Sequence, residues 1–114
     1  MLSIDILREY GANVDEGLAR CLDNAEFYIN MVDMGIHDKK FDSLRGHLEA
    51  GNLEDAFEVC HALKGVIGNL ALDPIFAPLS ELTELLRART ETDYMPLFEK
   101  LMGERQKLLS LIDE

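Results

Sequence analysis

The sequence has few cysteines, little positive charge and no long apolar run. Its two cysteines, Cys21 and Cys60, lack C-x-x-C spacing, and no basic-then-apolar leader or apolar run of membrane length is present. We therefore expect a cytoplasmic protein in a reducing compartment. The 11 basic residues are outnumbered by 22 acidic ones, and a net charge of −11 disfavours nucleic acid and anionic membranes as partners.

Nucleotide-binding loops are also missing from the sequence. It contains no G-x-x-x-x-G-K-[ST] motif, no kinase-like glycine loop and no acidic pattern expected for the magnesium of a nucleotide. We therefore expect a protein that does not use ATP. No internal repeat or Gly/Ser linker divides the 114 residues, of which 47% are hydrophobic, so we predict a single domain over residues 1–114.

Apolar residues recur at helical spacing along the whole chain, and no segment alternates as a strand would. Ser3, Asn13 and Asn24 are predicted helix N-caps, and Gly11 is a predicted stop. The predicted helices cover 3–10, 14–22, 25–35, 39–50 and 52–72, a segment before the polar break at 90–93, and a final segment that contains 98–112. We predict an all-α fold, an antiparallel four-helix bundle of the last four helices, with short N-terminal helices packed over one end.

Three details of these helices carry specific expectations. The helix after residue 72 resembles one with Pro74 in its first turn, but Pro78 would then remove a helical hydrogen bond, so its start is predicted nearer Pro78. The first three segments are either one broken helix or three pieces. Two apolar stripes are predicted to line the helices of residues 14–22 and 25–35, namely Val14, Leu18 and Leu22, and Phe27, Met31 and Met34.

The predicted helix of residues 52–72 places a histidine on its outer side. With about 100° of rotation per residue, the half opposite His61 is apolar and forms the core stripe, which consists of Ala56, Val59, Leu63, Val66, Ile67 and Leu70. Cys60 lies toward that stripe, where a buried thiol is the ordinary expectation. We therefore predict that the imidazole of His61 faces solvent.

Two glycines and a lysine follow His61 on the same side of the helix. A glycine in a helix interior costs about 1 kcal/mol against alanine, so Gly65 and Gly68 need a reason. Their missing side chains would leave the imidazole uncovered and let another molecule approach. Lys64 would supply a positive charge to an anion held on the ring.

The residues His61-Ala62-Leu63-Lys64-Gly65, followed by Gly68-Asn69-Leu70-Ala71, resemble the H-x-L-K-G signature of histidine-containing phosphotransfer (HPt) domains. Chain length, the all-helical pattern and the position of the motif agree with a stand-alone member. Val66 and Ile67 depart from the small residues usual there. The resemblance implies that His61 takes a phosphoryl group from a receiver-domain aspartate and hands it to another receiver, in a relay supplied by a sensor histidine kinase.

The resemblance also implies where the remaining chemistry is found. We expect no cofactor in this chain, with Mg²⁺ held by the receiver, and we expect a monomer. Neutral imidazole can attack through one nitrogen while a hydrogen bond at the other fixes its tautomer. The candidates for that second contact are Glu58, one turn back, and Thr83 on the next helix. Phe57 and Leu72, apolar but on the same side as His61, are predicted docking contacts.

The motif has two other interpretations, a metal site and a non-catalytic adaptor. Glu58 and His61 form an E-x-x-H pair, as in di-iron helical bundles, but such a site needs a second copy, which neither His37 nor His47 supplies. We therefore predict no metal site. The other rival is a non-catalytic helical adaptor that docks onto a receiver or kinase without carrying phosphate, although an adaptor has no use for a bare histidine beside Lys64.

Overall fold

A computed structural model describes residues 1–113, so Glu114, the last residue of the predicted domain, lies outside the described residues. Within 1–113 the chain forms seven helices and no strand, which confirms the all-helical class. None of these helices is long and apolar enough to cross a membrane. The helices are α1 (Ile4–Tyr10), α2 (Val14–Arg20), α3 (Ala25–Ile36), α4 (Lys40–Glu49), α5 (Leu53–Asn69), α6 (Asp73–Arg87) and α7 (Met95–Ile112).

Side-chain caps define four of the helix starts. The side chains of Ser3, Asn13, Asn24 and Asn52 each accept a hydrogen bond from the amide three residues further on. Such a cap stabilises a helix by about 1 kcal/mol, and the three predicted at Ser3, Asn13 and Asn24 are confirmed. Gly11 ends α1 with φ of 105°, a left-handed conformation that glycine adopts without a steric penalty.

Helices α4 to α7 form a four-helix bundle in which α5 packs between α4 and α6, and α7 closes against α6 and α4. The connections are short, with α5 and α6 joined by residues 70–72, so consecutive helices run antiparallel, as predicted. The buried residues of α5 recur every three or four positions and are Ala56, Cys60, Leu63 and Ile67. They face buried residues of α6 and α7 that include Leu79, Leu82, Leu86, Phe98 and Leu101.

The three N-terminal helices are separate pieces that pack over one end of the bundle, and several hydrogen bonds attach them to it. The Tyr28 hydroxyl of α3 donates to the Leu70 carbonyl at the end of α5, 2.8 Å away. The Tyr10 hydroxyl of α1 donates to the Glu104 carbonyl of α7 at 2.7 Å. Gly35 allows close contact, because a β-carbon there would lie 2.7 Å from the Leu70 side chain.

The predicted core stripe of α3 is wrong at two positions. Phe27 is 48% exposed and Met34 is 67% exposed, although Met31 is partly buried. The face one residue further on is buried instead, and consists of Tyr28, Val32, Gly35 and Ile36. This face prevails because Tyr28 has a carbonyl partner in the bundle and Gly35 permits close packing, neither of which periodicity reveals.

Two helix boundaries also differ from those predicted. Helix α2 ends at Arg20, and Leu22 is 89% exposed in a left-handed turn with φ of 58° rather than part of the stripe with Val14. Helix α6 begins at Asp73, not near Pro78, so Pro78 lies inside it. The lost hydrogen bond at Pro78 is offset because Pro78 itself and Ile75 in the first turn are both buried.

Candidate functional site

The imidazole of His61 lies on the exposed side of α5, as the periodicity of the helix predicts. His61 and Ala62 are both exposed, whereas Cys60 and Leu63 on either side of them are completely buried. Successive helical residues point about 100° apart, so two neighbours can occupy core and solvent. The bundle therefore presents this histidine to other molecules.

An open depression of about 510 Å³ lies beside the ring, and we call it the His61 basin. Residues of α2, α5 and α6 line it, among them Glu16, Arg20, His61, Lys64, Gly65, Gly68 and Phe76. A β-carbon built on Gly65 would meet no other atom within 4 Å. Packing within the protein therefore gives no reason for glycine at this position, and its absent side chain leaves the basin open.

Gly68 has a different neighbour. A β-carbon there would lie 3.1 Å from the aromatic ring of Phe76 on α6, closer than an ordinary contact. The close approach of α5 and α6 at this point therefore favours glycine. Gly68 is predicted from the sequence to uncover the imidazole, and the structure adds a packing reason that the sequence does not reveal.

Lys64 reaches from α5 across to α6, where its Nζ lies 3.5 Å from Oε1 of Glu84. The Nε of Arg87 donates to the other oxygen of the same carboxylate at 3.1 Å. Desolvation acts to raise the pKa of Glu84, but the hydrogen bonds and charges of Arg87 and Lys64 outweigh it and hold that pKa below its usual value. Lys64 therefore lines the basin and is already paired with Glu84.

Phe57, one turn before His61, contacts the imidazole directly. The two rings stack with their centroids 5.5 Å apart and an interplanar angle of 23°. Two guanidinium groups also approach the Phe57 ring, that of Arg87 at 4.9 Å and that of Arg89 at 5.7 Å from its centroid. Such cation–π contacts are favourable, so Phe57 is held by contacts with two arginines as well as with His61.

The sequence matches the family described as Hpt domain over residues 37–114, which covers α4 to α7 and includes His61. The chain belongs to the HPt domain family. Membership implies a phosphotransfer role in phosphorelays, in which HPt domains act with receiver domains and kinases. Comparison with curated proteins and with solved structures found no significant match.

Neither predicted tautomer partner hydrogen-bonds the imidazole of this HPt domain. Thr83 is buried, its hydroxyl donates to the Leu79 carbonyl at 2.7 Å, and it lies 3.0 Å from the sulfur of Cys60, so its predicted contact with the ring is wrong. Glu58 is exposed and makes no hydrogen bond or ion pair within residues 1–113. Burial raises the pKa of the Cys60 thiol to about 11, against the smaller opposing effects of Thr83 and Lys64.

The prediction that Leu72 is a docking contact of the HPt domain is also wrong. Leu72 is completely buried, because α5 ends at Asn69 and Leu72 turns inward before α6. Continuing the helical wheel of α5 to residue 72 therefore placed it on the wrong side. The large apolar side chains that are exposed in the described chain include Leu22, Phe27 and Met34, in or next to α3.

Helix α2, which precedes the matched region, adds two charged residues that sequence reasoning missed. Arg20 donates a hydrogen bond to the carbonyl of Gly68 on α5 and pairs with Glu16 one turn back. Both side chains line the His61 basin. Their i, i+4 spacing is visible in the sequence, but nothing local to α2 indicates that it lies beside α5.

Metal coordination is predicted to be absent from this chain. No group of three or more His, Cys, Asp or Glu side chains in residues 1–113 is arranged to hold a metal ion. His37 lies at the end of α3, with its Nδ1 2.8 Å from the Asp33 carbonyl, and does not approach Glu58 or His61 through any hydrogen bond. Nothing in the described residues supplies the second half of an E-x-x-H site.

Proposed function

We propose that His61 carries the phosphoryl group, accepting it from a receiver-domain aspartate and passing it to a second receiver. In the first step an unprotonated ring nitrogen forms the N–P bond while the P–O bond to the aspartate breaks and the electron pair leaves with the carboxylate. Onward transfer is the reverse at another aspartate. The observation that carries this proposal is the exposed imidazole beside open space at Gly65.

Lys64 would stabilise the phosphoryl group by its charge. That group brings about two negative charges to a surface that also holds Glu54 and Glu58, both exposed on the same helix. The Nζ of Lys64 lies 3.5 Å from Glu84, so it stands beside the basin but must divide its interaction between that carboxylate and the phosphate. Positioning and electrostatics are the main contributions a protein makes to phosphoryl transfer.

The partners in this proposal are receiver domains and a sensor histidine kinase, with Mg²⁺ supplied by the receiver. Leu72 is buried and is not available for docking, so we propose that a receiver uses the exposed apolar side chains of α3, Phe27 and Met34, instead. Phe57 stays a predicted contact, although much of its ring already faces His61 and Arg87.

Incubation with radiolabelled, phosphorylated receiver domains tests the proposal. We expect acid-labile, alkali-stable label on the wild-type chain and on His37→Gln, a matched control at an exposed histidine. The label should be absent from His61→Gln. A folded wild-type protein that takes no label from any phosphorylated receiver or from phosphoramidate would support the non-catalytic adaptor instead. Equal labelling of His61→Gln and the wild-type chain would refute the assignment of the nucleophile.

A further inference from the structure

The imidazole of His61 is oriented by a ring contact rather than by a hydrogen bond within the described chain. No hydrogen bond to its nitrogens is present among residues 1–113, whereas the Phe57 ring stacks on it at 5.5 Å. A histidine side chain has three staggered χ1 positions and a broad χ2, so an exposed one is otherwise free to change rotamer. The stack is therefore the contact that restricts the nucleophile.

Phe57 is itself held by α6. It is half-buried, and the Arg87 guanidinium lies 4.9 Å from its ring centroid. Arg87 is anchored on Glu84, which also pairs with Lys64. A continuous series of contacts thus joins Phe57, one turn before His61, to Lys64, one turn after it.

The geometry of stacking leaves the reactive atoms free. The two rings are nearly parallel and offset, with centroids 5.5 Å apart, so Phe57 contacts the imidazole by stacking, whereas the lone pair used for attack lies in the ring plane at its edge. Helical side chains lean toward the helix N-terminus, so His61 leans toward Phe57 and away from Gly65. The imidazole is therefore contacted on the Phe57 side and open on the Gly65 side.

We propose that Phe57 is a positioning residue: its ring holds the His61 imidazole in the one rotamer that presents a nitrogen to a phosphoryl donor entering from the Gly65 side. The part of this inference that concerns transfer rests on the proposed function. The orientation of the ring does not. This role also differs from that of a docking contact, because it acts on any phosphoryl donor, including one too small to dock.

The test compares Phe57→Leu, Phe57→Tyr and Tyr10→Leu, the last being a change to leucine at a half-buried aromatic of α1 outside the His61 basin. The imidazole proton resonances of His61 report the stack through the ring current of Phe57. Phosphoramidate and a phosphorylated receiver serve as small and large donors. We expect Phe57→Leu to shift the His61 resonances and to slow labelling from both donors about threefold to tenfold. Phe57→Tyr, which keeps the aromatic ring, should leave the resonances and the labelling rates close to those of the wild-type chain, and Tyr10→Leu should change neither.

Other outcomes separate the possibilities. Unchanged His61 resonances in Phe57→Leu would overturn the proposal whatever the labelling rates. Shifted resonances with unchanged phosphoramidate labelling would also overturn it, and a loss confined to the receiver would make Phe57 a docking contact only. If the wild-type chain takes no label from either donor, the proposed function fails, while the resonances still report whether Phe57 orients the ring.

Discussion

The two sides of α5 place chemically similar groups in opposite environments. Cys60 and His61 are neighbours, and each is a residue type that acts as a nucleophile in enzymes. Burial raises the pKa of the thiol to about 11, so it stays protonated and unreactive, whereas the imidazole is exposed next to an open basin. The environment, rather than the residue type, decides which of the two is available for transfer.

The two sides of α5 also differ along the rest of the helix. The buried side is apolar and close-packed, and its residues stabilise the bundle. The exposed side holds Gly65, which contributes no packing, and Lys64, which is paired but close to solvent. One helix can combine a packed support with an accessible site because each of its turns contributes residues to both faces.

The largest expected effect on stability comes from a substitution on the buried side of α5. Leu63→Ala removes a completely buried side chain and should lower the free energy of unfolding by about 2–5 kcal/mol, because a cavity remains. Glu58→Ala, on the exposed side, should change it by less than about 0.5 kcal/mol. Urea unfolding of both variants measures the difference, and similar losses would mean that the two faces are not distinct in stability.

A smaller loss of stability is expected at alkaline pH. The folded-state pKa of Cys60 is raised from 9.0 to about 11, so the folded chain holds this proton more tightly than the unfolded chain. The associated stability is fully present below about pH 9 and is lost as the pH rises toward 11, by on the order of 2 kcal/mol.

Cys60→Ala tests the contribution of the thiol to this loss. Its unfolding free energy should fall less steeply between pH 9 and pH 11 than that of the wild-type chain. The pKa of Tyr28, raised to about 12 mainly by burial, adds a further loss that both proteins share. Identical pH profiles would show that the buried thiol is not shielded as the structure implies.

The smallest effect on stability, but a clear one on transfer, is expected at Gly65. Gly65→Gln should raise the free energy of unfolding by up to about 1 kcal/mol, since helix propensity improves and no atom lies within 4 Å of the new β-carbon. The same side chain should enter the His61 basin and slow phosphoryl transfer by about tenfold or more. Denaturant unfolding and labelling rates measure the two effects.

Gly103→Gln is the matched control for that variant. Gly103 lies inside α7, and a β-carbon added there would also meet no atom within 4 Å, but this glycine is outside the His61 basin. The control should show the same gain in stability with unchanged transfer. Equal transfer by Gly65→Gln and the wild-type chain would refute the steric explanation of Gly65.

Much of the scaffold was predictable because it depends on local patterns. Helix caps at Ser3, Asn13 and Asn24 and the outward direction of His61 follow from residues within a few turns of each other. The predictions were wrong where contacts with residues distant in sequence determine which side chains are buried. Leu72 and the stripe of Phe27 and Met34 both looked consistent with their own helix, and only packing against another helix showed otherwise.

The sequence by itself determined that the chain is helical and that one histidine, followed by a lysine and a glycine, faces away from an apolar stripe. Only the tertiary structure decided what surrounds that histidine. Phe57 contacts Arg87 of α6, and Lys64 pairs with Glu84, which is twenty positions further along the chain. Arg20 of α2 lines the His61 basin. Periodicity reports which way a side chain points, whereas the identity of its neighbours depends on how separate helices pack together.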